Sequence, residues 1–349
     1  MNRSITSFEN LSNELFYEIF DYLDGIHLHQ AFSNLNQHFQ RLITAPFLLL
    51  KIDAYRSFRK DQFFKNWKQI IESHRHQIYS LRLDESLQGE QLFPSLSSLD
   101  SSFNHLQSFN IWSCDHLTLL SLLSKLNCLP CLHSLIIFTE NPSTNLTDIY
   151  RLVLNFPVLK YYRFYISELD VPVALPMALD DQRSQIENLN IDHCCHIDEL
   201  VSILSYTPKL RRLRFSDDSG EKYSGEILSP ITLSHLRSVS IRSYSLSFDQ
   251  WESFIRQIRP PLQTLHFVTR SEDINYLNAH RWERFIQENL PQLESFSFYY
   301  YEYVDKAHNL PTYSFESNQF LSTFWIERKW FLNIEMTNDR IVYLVTPYK

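Results

Sequence analysis

Ile78-Tyr-Ser-Leu81-Arg-Leu83 and Leu106-Gln-Ser-Phe109-Asn-Ile111 share one pattern, apolar-x-x-apolar-x-apolar, and the chain repeats it. The pattern returns at Leu132, Leu159, Ile186, Leu210, Leu236, Leu262, Leu293 and Leu321. The ten starts span 243 residues in nine intervals, a mean of 27. The last two apolar positions of each signature lie two apart, as on one face of a strand. Helix-like stretches precede several strands, at 117–126, 146–156, 197–206, 248–258 and 282–290. Each runs into a proline: Pro130, Pro157, Pro208, the pair Pro260 and Pro261, and Pro291. Proline lacks an N–H and restricts the residue before it, so it stops a helix. The reading is an α/β solenoid. Parallel strands line its concave face, helices line its convex face, and stacked neighbours bury one continuous core.

A period of 20–29 residues with this strand pattern resembles the leucine-rich repeat. The polar slot nine positions into such a repeat is matched by Cys114 and Cys194, and the other repeats are degenerate there. Phe47-x-x-Leu50-x-Ile52 copies the signature and predicts an extra capping strand, followed by an amphipathic stripe at Phe63, Phe64, Trp67, Ile70 and Ile71. At the far end, 331–336 and 341–345 flank Thr337-Asn-Asp-Arg340, which predicts a β-hairpin. The expected organisation is a helical module at 1–45, a linking and capping segment at 46–77, about ten repeats at 78–326 and a hairpin cap at 327–349.

The first 45 residues follow a helical period instead. Leu11, Leu15, Ile19, Phe20 and Leu23 fall on one helical face, and Leu28, Ala31, Phe32, Leu35, Phe39 and Leu42 form a second stripe. Ser12 is placed to cap the first helix with its hydroxyl, and Glu14 suits its first turn. Gly25 stands where a helix end needs a left-handed residue. This segment resembles an F-box: Leu11, Glu14, Leu15, Ile19, Phe20, Leu23 and Leu28 agree with that family's opening pattern. Ser12 replaces the family's usual proline, and Phe39 stands where a tryptophan is common. F-boxes are often followed by leucine-rich repeats, as here. The resemblance implies a substrate receptor of an SCF-type ubiquitin ligase. The seven matching residues would dock on the small linker subunit, and through it on a cullin. Leu35 and Phe39 are expected to pack inside the module. A helical cap on a repeat scaffold without ligase attachment would need the same amphipathic stripe.

Composition excludes several classes. The net charge of −8 argues against a nucleic-acid partner. Only four glycines occur, none with the spacing of a phosphate-binding or dinucleotide loop. No apolar run reaches the ~18 residues of a membrane helix, and 1–10 lacks a signal peptide. Five cysteines, an odd and sparse count, fit a reducing compartment, so the chain is expected in the cytoplasm or nucleus. Cys128-Leu-Pro-Cys131 sits at a turn with no second ligand pair, and His193-Cys194-Cys195-His196 points its side chains apart, so no metal, cofactor or catalytic set is expected.

Positions three, five and seven of each repeat face the concave side. They bring Arg82, Arg163, Arg212, Arg214, Arg242 and His266 to one strip, against Asp84, Asp192 and Glu327. Aromatic neighbours are Trp112, Phe138, Tyr161, Tyr165, Tyr299 and Trp325. Arg163, Tyr165, Arg212, Arg214, Arg242 and His266 are the expected target-binding residues. Their target would be an acidic or phosphorylated peptide, which Arg grips bidentately.

Overall fold

Alternation of buried and half-exposed residues marks the strands at Ser108–Trp112, Ser134–Thr139, Tyr161–Ile166 and Asn188–Asp192. The computed structural model describes residues 8–53, 70–84, 99–140, 145–166, 172–217, 231–244, 246–270, 273–303, 320–337 and 340–347. Two compact units, 1–139 and 140–349, divide the chain. Phe63, Phe64 and Trp67 lie outside the described residues, whereas Ile70 and Ile71 are buried in a helical turn at 70–74.

The first unit joins three short helices to a parallel sheet. The helices are α1 (Asn13–Asp21), α2 (Gly25–Phe32) and α3 (Gln37–Ile43). The strands β1 (Leu50–Asp53), β2 (Ile78–Asp84), β3 (Ser108–Trp112) and β4 (Ser134–Thr139) pair in sequence order, all parallel. Three helices this short cannot hold themselves together by backbone bonds alone. They share an aromatic core in which Phe16 meets Phe39 at 5.0 Å and Phe20 meets Phe32 at 5.0 Å between ring centroids. Asp24 fastens this module to the sheet. One carboxylate oxygen accepts the Ile26 N–H at the start of α2, and the other accepts the Asp53 N–H of β1 at 2.6 Å. Gln77, fully buried, reaches the carbonyls of Ile43, Ala45 and Leu48 from the start of β2.

Several expectations for this module need correction. Gly25 does not end a helix; it opens α2, where a Cβ would come within 3.3 Å of the Leu50 Cβ and the Lys51 carbonyl. Its missing side chain permits close approach rather than a left-handed turn. Ser12 occupies the N-cap of α1 but accepts no cap hydrogen bond. Instead a hydrogen bond from the Glu14 backbone, and then one from the Ser12 side chain, lower the Glu14 carboxyl pKa. Leu35 is 58% exposed, because it falls in the turn between α2 and α3, beyond the stripe that faces the core.

The second unit repeats strand and helix. The strands β5 (Tyr161–Ile166), β6 (Asn188–Asp192), β7 (Arg212–Asp217), β8 (Ser238–Ser243), β9 (Thr264–Thr269) and β10 (Ser295–Tyr303) are parallel neighbours in sequence order. The intervening helices α5 (Leu146–Leu154), α6 (Ile197–Ser205), α7 (Phe248–Ile258) and α8 (Ala279–Asn289), like α4 (His116–Leu126) of the first unit, fall close to the ranges read from sequence. They cover one sheet face: Tyr150 lies 5.9 Å from Phe164, Trp251 5.1 Å from Phe267, and Trp282 5.0 Å from Phe296.

The tenth signature is not a strand. Leu321-x-x-Phe324-x-Ile326 falls on a short helix, α9 (Thr323–Arg328), N-capped by Ser322 and closed by Lys329 in the left-handed region. Apolar residues at i, i+3 and i+4 serve a helix as well as this signature, and here Phe324 and Trp325 pack with Phe320 and Trp330. Trp325 is buried there, so neither it nor Glu327 belongs to a strand row. The predicted hairpin does form. Strands β11 (Trp330–Met336) and β12 (Arg340–Pro347) pair antiparallel, and β12 pairs antiparallel with β10.

His193 sits fully inside this unit, within 2.7 Å of the Tyr150 hydroxyl. Burial pushes its pKa from 6.5 down to about 4. The fold favours the neutral ring, while the unfolded chain takes up a proton near the ordinary value. Stability is therefore full above pH 6.5 and is lost as pH falls through the window down to about 4. That shift corresponds to about 3 kcal/mol. Urea titrations at stepped pH should show the loss. His193→Gln should be less stable at neutral pH and show a flatter dependence across the same window.

Candidate functional site

Two surfaces carry the residues singled out by sequence, one in each unit. In the first unit, α1 turns Phe16 and Phe20 inward and leaves Leu15 44% exposed. Leu11, Ile19 and Leu23 are half-buried, Glu14 is exposed, and Tyr22 at the helix end is 91% exposed. An open groove of about 570 Å³ is lined by Tyr17, Phe20, Asp21 and Leu23 with Phe47 and Leu49, and by neither Leu15 nor Ile19. Phe47 is 69% exposed and stacks edge-on with Tyr17 at 4.8 Å. Two expected anchors are excluded from any partner's reach. Phe20 and Leu28 are each 2% exposed because the small module uses them to build its own core. Sequence reading missed Phe47 and Leu49 as surface residues. They sit in the segment that copies the strand signature, where apolar residues are expected to be buried.

In the second unit, parallel register stacks equivalent positions into rows. Arg163, Asn190, Arg214, Ser240, His266 and Ser297 form one row across β5 to β10, and Tyr165, Asp192, Ser216, Arg242, Val268 and Tyr299 form the next. Arg212 lies in a third row, beside Asn188 and Ser238. These side chains occupy the face opposite the helices, where burial is partial. All six expected target-binding residues thus share one face, though not one environment.

Asp192 divides them. Its Oδ2 accepts from Arg163 Nε at 2.8 Å, and its Oδ1 lies 3.9 Å from Arg214 Nε. Arg163 is therefore largely neutralised by an acid that is itself only 12% exposed. Further along, Asp192, Arg214, Ser216, Ser240, Arg242 and His266 line a small cleft of about 140 Å³. Partial burial, with Arg214 and Arg242 alongside, holds the His266 pKa below the usual imidazole value. Ser216 and Ser240 were legible from the same position count, but they carry no charge to draw notice. At the far edge of this face, Tyr244 and Tyr301 pack at 6.3 Å with Arg270 over the Tyr244 ring.

This face sets arginine, imidazole, hydroxyl and phenol side chains in neighbouring rows. Among the described residues no group of three or more His, Cys, Asp or Glu is placed to hold a metal ion. Cys194 and Cys195 are buried, and the His193 ring is occupied by Tyr150 and the Cys194 carbonyl. No described helix is long and apolar enough to cross a membrane. No protein-family model matches the chain, and no curated protein matches it.

The inward and outward faces of the module make different predictions. Leu28→Ala and Phe20→Ala should each cost about 2–5 kcal/mol of stability through lost burial and cavity formation. Leu15→Ala should cost about 1 kcal/mol or less. Thermal or urea unfolding of the three variants checks this. Equal losses at all three positions would contradict the burial assignment.

Proposed function

We propose that this protein is a non-catalytic substrate receptor of an SCF-type ubiquitin ligase, of the kind that joins an F-box to leucine-rich repeats. The helical module docks on the small linker subunit and through it on a cullin. The strand face of the second unit takes the target protein. The observation that carries this reading is the outward apolar ridge of α1, with Leu15 exposed and Ile19 half-exposed. A solvated helix end has no use for such a ridge, while a partner that lays a helix along it buries it. Few residues are needed, because a handful of buried anchors carry most of an interface's affinity. With Phe20 and Leu28 committed to the module's interior, Leu11, Leu15, Ile19 and Leu23 supply the contact, and Glu14 lies at its margin. The partly exposed rows of the second unit, in which arginine, imidazole, hydroxyl and phenol side chains stand side by side, support its role in target selection.

Pull-down of purified linker subunit by the full chain tests the first half. Wild type should capture it. Leu15→Asp combined with Ile19→Asp should abolish capture without unfolding the chain, since both residues have outward-facing surface. A folded wild type that captures no linker subunit would leave a repeat scaffold without ligase attachment. For the second half, Arg212→Glu with Arg214→Glu should remove cellular partners that the α1 double variant retains.

A further inference from the structure

The cleft beside Asp192 has a donor set that the proposed function does not specify. Arg214 and Arg242 sit on adjacent parallel strands, one pair apart: Arg214 faces Ser240, and Ser216 faces Arg242. Such diagonal neighbours are about 8 Å apart at Cβ, within the reach of two guanidinium groups turning to one point. Arg242 has no ion-pair partner among the described residues, and Arg214 keeps only a 3.9 Å contact to an acid already held by Arg163. Each guanidinium offers a pair of parallel N–H donors, each serine one O–H, and His266 one ring N–H. A carboxylate has two oxygens and is satisfied by a single arginine fork. Three terminal oxygens on one centre use the full set.

We propose that this cleft is a phosphoryl-binding site, taking one phosphate-monoester group carried on a side chain of a bound protein segment. Its size supports the choice. A cleft of about 140 Å³ holds a single oxyanion, whereas pockets that enclose a small molecule usually run to about 300–1,000 Å³. The rest of the ligand must lie outside it, on the open face, where Tyr161 and Tyr165 of β5 and Tyr299 of β10 are half-exposed. Nucleic acid fits less well. It presents a ladder of phosphates to a protein of net charge −8, and here one acid stands next to one anion spot. The same two arginines also act on His266. Apart from its burial, it is the two arginines that keep a proton off this ring. The charged groups lining the cleft with it are Arg214 on β7, Arg242 on β8 and Asp192 on β6, while its β10 neighbour in register is the uncharged Ser297. A bound dianion reverses the sign of that field, so binding should draw a proton onto His266 and strengthen as pH falls toward the ordinary imidazole range.

This inference rests on the proposed function only in taking the strand face as the binding surface. The test uses the full chain, with phenyl phosphate, benzoate, a phosphoserine peptide with its unphosphorylated twin, and a single-stranded oligonucleotide. Calorimetry reads affinity, and imidazole NMR signals read His266. Phenyl phosphate and the phosphopeptide should bind, and His266 should titrate at higher pH in the complex. Arg214→Gln and Arg242→Gln should each weaken binding about tenfold to a hundredfold, the usual effect of losing a charge-assisted pair. Asp192→Asn should tighten it, and Arg256→Gln, on helix α7 at the other face of the sheet, should change it by about twofold or less. Far-UV circular dichroism confirms that each variant is folded. The inference is overturned if no phosphate binds, if benzoate binds as tightly, or if Arg256→Gln weakens binding as much as Arg242→Gln. It is equally overturned if the oligonucleotide outcompetes the phosphopeptide at these residues. Absent phosphate binding with intact linker capture sinks this inference alone; the opposite result sinks the ligase reading alone.

Discussion

Parallel, in-register pairing of short strands whose alternate residues must be buried is the constraint on which the second unit depends. Leu189 and Ile191, Leu213 and Phe215, Val239 and Ile241, Leu265 and Phe267 all sit at 2% exposure or below on the helix side. Since side chains alternate with a period of two, the residues between them are driven to the opposite face. Parallel register then places position five of one repeat beside position five of the next. Surface chemistry is thereby written in rows. A single arginine becomes part of a strip only because its neighbours above and below occupy the same repeat position. A slip of one residue in β7 would bury Arg214 and expose Leu213, so the apolar core and the polar face are specified together.

Inside the first unit the same demand for burial works against a simple reading of the sequence. A module of three short helices has little interior of its own, and its aromatic residues are taken to make one. Phe16, Phe20, Phe32 and Phe39 form a contiguous ring cluster, with Phe8 packed edge-on against Phe16 at 5.2 Å. What remains for a partner is the narrower ridge around Leu15 and Ile19. Asp24 has two duties, capping α2 and holding β1, and burial raises its pKa despite the hydrogen bonds that oppose the shift. It links the helical module to the strands at one carboxylate, so the outward ridge is presented on a fixed base.

The strand starts from Ile78 to Leu293 were legible from their period of two, and five of the helices from a period of three-point-six that ends at a proline. The tenth signature was not, since the spacing of Leu321, Phe324 and Trp325 suits a helix equally well. Gly25 misled for a related reason. Glycine is favoured both where backbone must turn left-handed and where two elements approach closely, and a sequence does not distinguish these uses. For the candidate site, the count of repeat positions brought the right residues to one face. It did not tell which arginine is free. That depends on whether Asp192 turns toward Arg163 or toward Arg214, a choice of side-chain direction that no spacing encodes.

That choice has a consequence for where positive charge can act. An arginine held at 2.8 Å by a mostly buried carboxylate contributes little field beyond the pair, because the two charges cancel at any distance larger than their separation. By taking up Asp192, Arg163 removes itself from the strip and at the same time leaves Arg214 the weaker claim on that acid. The net positive potential is thus displaced from the β5 side of the sheet toward β7 and β8, where Arg242 adds to it. In a protein of net charge −8, screened by salt over about 8–10 Å, such a displacement matters more than the total count of arginines. Burial is the larger cause of the lowered His266 imidazole pKa, and Arg214 and Arg242 lower it further. A site of this kind discriminates by geometry, since only an anion small enough to enter between the two guanidinium groups feels both at contact distance.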